Sequence, residues 1–430
     1  MTSSFETSIQ TAISNGGLAG ASVMAATKSQ GLVYSKSFGH RSLDKGTKSE
    51  KLQVDDIMTL ASASKLITSI AALQVVESGL VGIDDDLGVV LPELGALKVL
   101  KEVDGEVRLE ERTEKITLRQ LLSHSSGLTY GFASPLVQKY NISQGLPPFQ
   151  PFKTVTKSFS EPLVAQPGTI WEYGSGMEWA GRLITHLTGQ SLEQYTQQNI
   201  ASPLGIRDLT YFPHKNPEID TAKLVPMTRR DPSTPNGHGG KLIPDTAPHI
   251  LSEATEEMGG VGLYTSMASY IKILHSLLVN DGKLLRGETV DTFLFEPQLS
   301  ASSRESLQGL FSHIEPGQES GAPPYVGTFA QVRYDYSLGG LLSLEDVDSA
   351  GLRWRRKGYL CWSGLPNIFW VCPLLNILIM KYERIDSVHQ FIDRQAGLCG
   401  VFGTQVLPNA DEQVREVIVG FEKAMYKDFA

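Results

Sequence analysis

The sequence predicts an α+β fold, in which an antiparallel sheet drawn from both chain ends is flanked by helices and interrupted by a mostly helical inserted region. Three observations predict it. Strand-like segments gather toward the two ends, over Ala19 to Thr27, Leu32 to Phe38 and the glycine-broken run Tyr334 to Met380. Helical periodicity prevails between them. One helix, beginning just after Ser62, is apolar on almost every side and so belongs at the centre. The 430 residues are read as a single domain, with 1–78 and 255–430 as its α/β part and 79–254 as the insertion.

Each element has a local cause. Phe5, Ile9, Ala12 and Ile13 share one face of an N-terminal helix that Asn15-Gly16 can stop. A Ser-Gln-Gly turn joins the first two strands as a hairpin. Leu66, Ile67, Ile70, Ala71, Leu73, Val75 and Val76 carry the central helix as far as Gly79. The charged stretch Lys98 to Lys115 has mixed signs and reads as a solvated segment. Thr117 with Gln120, and Ser191 with Gln194, have capping-box spacing for two short helices. Tyr130 to Thr169 is rich in Pro, Gly, Ser and Phe without a clean period, and reads as a long loop or lid with short helical turns. Met177 to His186 is helical and closed by Gly189, Ser266 caps a helix over Met267 to Val279, and a last helix buries Val414, Val417, Ile418, Phe421, Ala424 and Met425.

Composition excludes several classes. With 41% hydrophobic and 20% charged residues the chain can build a sizeable core. A net charge of -9 argues against a nucleic-acid surface. The three cysteines, Cys361, Cys372 and Cys399, have no zinc-like spacing and do not form a disulfide scaffold pattern. Met1 to Gly16 lacks a basic head followed by an apolar run, and no apolar stretch is long enough for a bilayer, so a cytoplasmic protein without a membrane partner is expected. The glycines at 259, 260 and 262 match neither a dinucleotide fingerprint nor a phosphate loop and read as a tight turn, so no cofactor or metal is expected.

Three short motifs carry chemistry. In Ser62-Ala63-Ser64-Lys65, Ser62 and Lys65 stand one helical turn apart on one face. A helix N-terminus favours a developing alkoxide, and an uncharged lysine amine beside it can accept the hydroxyl proton. The alternative is a capping serine and a lysine whose amine reaches out to solvent; Ser64 is the competing nucleophile but points off the Lys65 face. In Tyr173-Gly174-Ser175, a loop tyrosine between a turn and a helix can pass a proton in a cleft, or simply pack beside Trp171 and Trp179. In Trp362-Ser363-Gly364-Leu365, a glycine in a strand allows close backbone approach, so that an N–H there and one at Ser62 can form an oxyanion hole; a plain bend in a core strand is the alternative. His124, in Ser123-His124-Ser125-Ser126-Gly127, is either a general base or a buried structural histidine, and no Gly-x-Ser-x-Gly elbow accompanies it.

The order of these motifs resembles the serine beta-lactamase and penicillin-binding-protein superfamily, in its subgroup of class C-like esterases and transesterases. The likeness runs through Leu60 to Leu66, Lys115-Ile116-Thr117-Leu118-Arg119, Ser126-Gly127-Leu128, Trp179-Ala180-Gly181, Pro203-Leu204-Gly205-Ile206 and Trp354 to Gly358. The resemblance implies a beta-lactamase/transpeptidase-like fold, Ser62 as nucleophile, Lys65 as its general-base partner and Tyr173 as catalytic tyrosine. It implies oxyanion amides at Ser62 and Leu365. It further implies transfer of an acyl group from a thioester or ester donor through acyl-Ser62 to an alcohol of a secondary metabolite, with ester hydrolysis as the alternative. Two departures bear on substrate. Penicillin-binding relatives usually carry Asn where Ser175 stands, and a Lys-Thr-Gly strand where Trp362-Ser363-Gly364 stands. The lost cation argues against beta-lactam turnover and leaves Trp362 as an apolar wall. Ser363, Gly364, Ser175, Tyr130 and Phe132 complete the expected substrate-binding set. An acyl-carrier domain or acyl-coenzyme A is the expected donor partner, with Arg353, Arg355, Arg356 and Lys357 as candidates for its phosphates or an acidic carrier surface.

Overall fold

The computed structural model describes residues 3–43, 50–231, 240–247, 249–311, 332–349, 352–364, 388–407 and 412–430. Its centre is a seven-stranded antiparallel sheet. In chain order the strands are β1 (Gly20–Thr27), β2 (Gly31–Gly39), β3 (Tyr334–Tyr336), β4 (Leu341–Ser343), β5 (Leu360–Gly364), β6 (Val388–Asp393) and β7 (Leu398–Gly403). The spatial order is β2-β1-β7-β6-β5-β4-β3, so the join between β1 and β7, with Ser22 opposite Gly403 and Thr27 opposite Leu398, ties the two chain ends together. The sheet drawn from both ends is therefore present, as the positions of the strand-like segments predict.

The two sheet faces differ in what covers them. Helices α1 (Ser3–Ser14) and α5 (Glu412–Phe429) cover one: Phe5 and Phe421 meet at 5.7 Å, and Phe421 also meets Phe391 of β6. Against the other face lies α4 (Met267–Val279), capped by Ser266, which accepts a hydrogen bond from Ser269 N. Beneath it runs α2 (Ser64–Glu77), whose residues 64–73 are all buried, as its nearly continuous apolar sequence demands. Helix α3 (Gly176–Thr188) packs on α2 and ends at Gly189, which adopts φ 69°.

Strand alternation decides which β5 side chains look where. Cys361 and Ser363 stand opposite Phe391 and His389 and share the α5 face, whereas Leu360 and Trp362 face the helical side. No helix among the described residues is long and apolar enough to cross a membrane.

Two segments differ from expectation. The charged stretch is not simply solvated: Val99–Val103 and Glu106–Glu110 form a hairpin. Asp104 and Gly105 turn it at φ 53° and 80°, and an Asp-Gly pair is a strong signal for such a turn. The expected lid contains a nine-residue helix, Pro135–Ser143, started by the Ser134 cap and by Pro135 in its first turn. Phe152 and Phe159 of that segment are buried, and Phe159 O accepts the Trp179 indole N–H at 3.0 Å. Both capping boxes are formed as their spacing predicts. The C-terminal part of the strand-like run, residues 365–380, lies outside the described residues.

Candidate active site

Ser62 sits in the tight turn Ala61–Ala63 that leads directly into α2, so its hydroxyl stands at the positive end of a helix. The turn is held from outside. Tyr270 Oη donates to Ala63 O at 2.9 Å, and Leu60 N donates to Leu263 O at 2.8 Å. It also stores strain: Ala61 has φ 44°, a left-handed conformation that costs a residue with a Cβ about 1–2 kcal/mol. The surrounding contacts stabilise that conformation, and strain of this kind concentrates at functional sites. Ser64, the competing serine, is fully buried and accepts from Leu263 N at 3.1 Å.

Two groups converge on the Ser62 oxygen. Tyr173 Oη lies 2.6 Å away and Lys65 Nζ 3.0 Å away. Lys65 is itself only 2% exposed, and its Nζ stands 4.8 Å from the centre of the Tyr173 ring. The three polar side chains, Ser62 and Lys65 buried and Tyr173 half-buried, thus form one constellation able to move a proton off the serine and onto a leaving group.

Behind it lies a feature that motif reading does not separate from packing. Lys65 Nζ also donates to Gly260 O at 2.9 Å and contacts Tyr130 Oη at 3.2 Å. Tyr130, expected on the substrate wall, is 2% exposed, and its hydroxyl donates to the buried Glu178 carboxylate at 3.0 Å. The glycine cluster is therefore more than a turn. It delivers a carbonyl to Lys65, and a side chain at Gly260 would overlap the Glu178 carboxylate. Burial pushes the Glu178 carboxyl above its usual range, opposed by the charge of Lys65 and by its hydrogen bonds.

His124 brackets Tyr173 in sequence. Its carbonyl accepts Glu172 N–H at 2.8 Å and its Nδ1 accepts Gly174 N–H at 3.3 Å, while its ring packs 4.7 Å from the Tyr173 ring. Burial, and next the positive charge of Lys65, hold this imidazole well below its ordinary range, so it is neutral. His124 Nδ1 points to a loop amide and not to Ser62, which is the arrangement of a structural histidine. Its φ of 57° is the cost of that placement.

The strand side of the site is formed by β5. Trp362 is buried and packs 5.3 Å from the Tyr173 ring and 5.2 Å from Tyr336, an apolar wall. Gly364 meets the Ser62 turn backbone to backbone, with no room for a side chain between them. Leu365 lies outside the described residues. Ser363 turns to the α5 face, where its hydroxyl is 3.2 Å from His389 Nδ1. Ser175 is buried and donates to Thr129 O at 3.5 Å. Phe132 is half-buried and stacks on Tyr130 at 5.2 Å.

Of the basic residues expected to meet a donor, Arg355 is committed elsewhere. It is buried and pairs with both oxygens of Glu422, at 2.8 and 2.7 Å, inside the α5 face. Arg356 is half-buried and donates to Trp354 O at 3.0 Å, and Lys357 is exposed. The side chain of Arg353 lies outside the described set.

A family model described as Beta-lactamase matches residues 5–370. Monacolin J acid methylbutanoyltransferase of Aspergillus terreus is 37% identical over 431 residues, covering 99% of this chain and 95% of that protein. Lovastatin esterase of Penicillium rubens is 37% identical over 432 residues, covering 99% and 98%. The unliganded structure of simvastatin synthase (LovD) from Aspergillus terreus superimposes with a TM-score of 0.80 at 34% identity, covering 100% of this chain and 98% of that one. The fold alone extends further, to EstCE1, a hydrolase with promiscuous acyltransferase activity, at a TM-score of 0.68 and 18% identity. Enzymes that move or hydrolyse acyl groups thus align with this chain almost end to end, through the turn where a serine, a lysine and a tyrosine meet, and the chain belongs to the Beta-lactamase family as a serine-dependent acyltransferase or esterase of its class C-like branch.

Proposed function

We propose that the enzyme transfers an acyl group in two steps through Ser62, from a thioester or ester donor to an alcohol of a secondary metabolite. The observation that carries this reading is the convergence of Tyr173 Oη, at 2.6 Å, and Lys65 Nζ, at 3.0 Å, on one serine oxygen. In the first step Lys65 takes the Ser62 proton as Oγ bonds to the acyl carbon. The negative carbonyl oxygen is met by the Ser62 N–H and by the Leu365 N–H. Collapse expels the thiolate or alkoxide, which takes its proton through Tyr173. In the second step the acceptor hydroxyl gives up its proton along the same path in reverse, attacks acyl-Ser62 and leaves as the ester.

The acceptor class follows from the relatives. Those named for transfer act on monacolin J acid and on ML-236A carboxylate, at 37% and 33% identity. We place a polycyclic alcohol of that kind against the Trp362 and Tyr173 wall, with the donor acyl group carried by a carrier domain or by coenzyme A. Arg355 takes no part in donor binding, because Glu422 holds it.

One observation favours hydrolysis as a second reading: the relative named lovastatin esterase is as similar as the transferase. The test is a product-partition assay with one acyl thioester, water and rising concentrations of polycyclic alcohols, combined with peptide mapping of the trapped acyl-enzyme. Transfer gives ester at the expense of free acid, saturating in the acceptor, with the adduct on Ser62. Free acid alone, with discharge of the acyl-enzyme unaffected by any alcohol, replaces transfer by hydrolysis. An adduct on another residue removes Ser62 from the role.

A further inference from the structure

The Lys65 amine faces two ways, toward Ser62 and toward the interior, and the reaction just described uses only the first. On the inner side Lys65 Nζ meets Gly260 O at 2.9 Å and Tyr130 Oη at 3.2 Å. Tyr130 Oη lies 3.0 and 3.2 Å from the two oxygens of Glu178. Glu178, in the first turn of α3, has no exposed surface, and Tyr130 has 2%. The Tyr130 ring is fixed by Phe132 at 5.2 Å and Phe159 at 6.0 Å. A continuous hydrogen-bonded file, Ser62–Lys65–Tyr130–Glu178, therefore runs from the reacting oxygen to a buried carboxyl.

We propose that Tyr130 and Glu178 form a proton relay behind Lys65, in which Glu178 takes the proton that Lys65 must shed before it acts as the base toward Ser62. The step needs no outside reactant. An N–H proton of the Lys65 ammonium passes to Tyr130 Oη while the Tyr130 hydroxyl proton passes to Glu178. The phenol is regenerated, the amine and the carboxyl both become neutral, and rotation about the lysine Cε–Nζ bond presents the lone pair to Ser62 Oγ. An ammonium and a carboxylate buried together are both costly to desolvate, and one proton transfer removes both charges. The surroundings of Glu178 agree. Burial raises its carboxyl, and the charged or titratable groups that face it are Lys65 from α2, Tyr130, and Tyr211, beyond which stand Glu193 and Glu257; Gly260 N–H supplies a hydrogen bond. Tyr130 and Glu178 are positioning residues, since each acts through Lys65. The proposal rests on the reading of Ser62 as the acylated residue and Lys65 as its base.

The relay makes a prediction that neither charge nor packing alone makes. When one proton is shared by two coupled sites, the share of molecules with neutral Lys65 is constant until the pair binds a second proton at acid pH. In Glu178→Gln, Lys65 must instead lose its proton to solvent. The acid limb of kcat/KM then moves to higher pH by about one unit or more and the plateau above it rises by the corresponding factor of about 10-fold or more, because no carboxylate competes with the neutral amine, while the rate on the acid side of both limbs stays as in wild type. A purely electrostatic role predicts the reverse, because removing a negative neighbour favours the neutral amine and moves the limb to lower pH. A purely structural role lowers the rate at every pH and leaves the limb in place.

The experiment is acylation of the full-length enzyme by a p-nitrophenyl ester across about pH 5.5 to 9.5, for wild type, Glu178→Gln, Tyr130→Phe and the double variant. We expect both single variants to move the limb upward and the double variant to be no worse than either. Should Glu178→Gln not fold, Tyr130→Phe, which keeps the ring in its cluster, breaks the file at its middle and decides alone. A limb that stays in place or moves to lower pH overturns the relay, while an adduct still mapped to Ser62 leaves the nucleophile assignment standing. Absence of that adduct in wild type overturns both.

Discussion

Replacing Gly364 by alanine tests the contact between strand and nucleophile with the smallest available change. A Cβ constructed on Gly364 falls 1.8 Å from Leu60 O and 2.8 Å from Ala63 N. Both are backbone atoms, so no flexible side chain can swing aside. Real Cβ contacts essentially never fall under 3.0 Å, so β5 and the Ser62 turn must part by about 1.2 Å. That opening lies between the two amides assigned to the oxyanion. A displacement of about 1 Å costs about 10²-fold where reacting groups must be held in attack geometry, and loss of one oxyanion donor costs about 10²–10³-fold. The expected outcome is a fall in kcat/KM of about 10²-fold or more in the release of p-nitrophenol from an ester. The control is Gly309→Ala, at a glycine with no atoms nearby to collide with, which leaves the rate unchanged. Urea unfolding of both variants reports whether the loss comes from the site or from the fold. A Gly364→Ala enzyme with kcat/KM within about 3-fold of wild type and ordinary stability would refute the assigned oxyanion geometry.

Two further outcomes follow from buried titratable groups. His124→Asn keeps a residue that tolerates positive φ but removes the ring packed on Tyr173, so kcat falls about 10-fold with little change in KM. Because burial holds the folded imidazole below the unfolded value of 6.5, its contribution to stability is full above that pH and is lost as pH falls through it. The melting temperature of wild type therefore drops between about pH 6.5 and 5, and the variant flattens that drop. In the second case, burial pushes Glu422 upward, but the charge and hydrogen bonds of Arg355 outweigh it and bring the carboxyl down from 4.5 to about 2. That difference corresponds to about 3 kcal/mol, present above pH 4.5 and lost as pH falls toward about 2. Glu422→Ala leaves Arg355 buried without its partner and costs about 3–5 kcal/mol at pH 7, read by chemical denaturation.

What the sequence discloses about this site depends on how far apart its parts lie in the chain. Ser62 and Lys65 are one helical turn apart, so their adjacency follows from the pitch of α2 alone, and the apolar run after Lys65 signals that the lysine is buried. The capping boxes at Thr117 and Ser191 are legible for the same reason, since cap and partner are three residues apart. Tyr173 comes 111 residues after Ser62, and only the order of motifs brings it to the serine. Gly260 is 195 residues from Lys65, and nothing local distinguishes a glycine that must pass a carbonyl to a lysine from one that merely turns the chain. Tyr130 shows the same limit from the other side. Its aromatic neighbours suggest an apolar wall, and its ring does stack on Phe132, yet it is buried and its hydroxyl is directed at Lys65 and Glu178. The one local clue was Glu178 itself: an acid between Met177 and Trp179 in the buried first turn of a helix has no solvent to hold its charge. A buried acid needs a donor, a tyrosine hydroxyl is a donor, and a lysine that must become neutral needs somewhere to send a proton. The three requirements are met by one another, which is why a helix with an acid on its buried face persists beside a serine that needs a base.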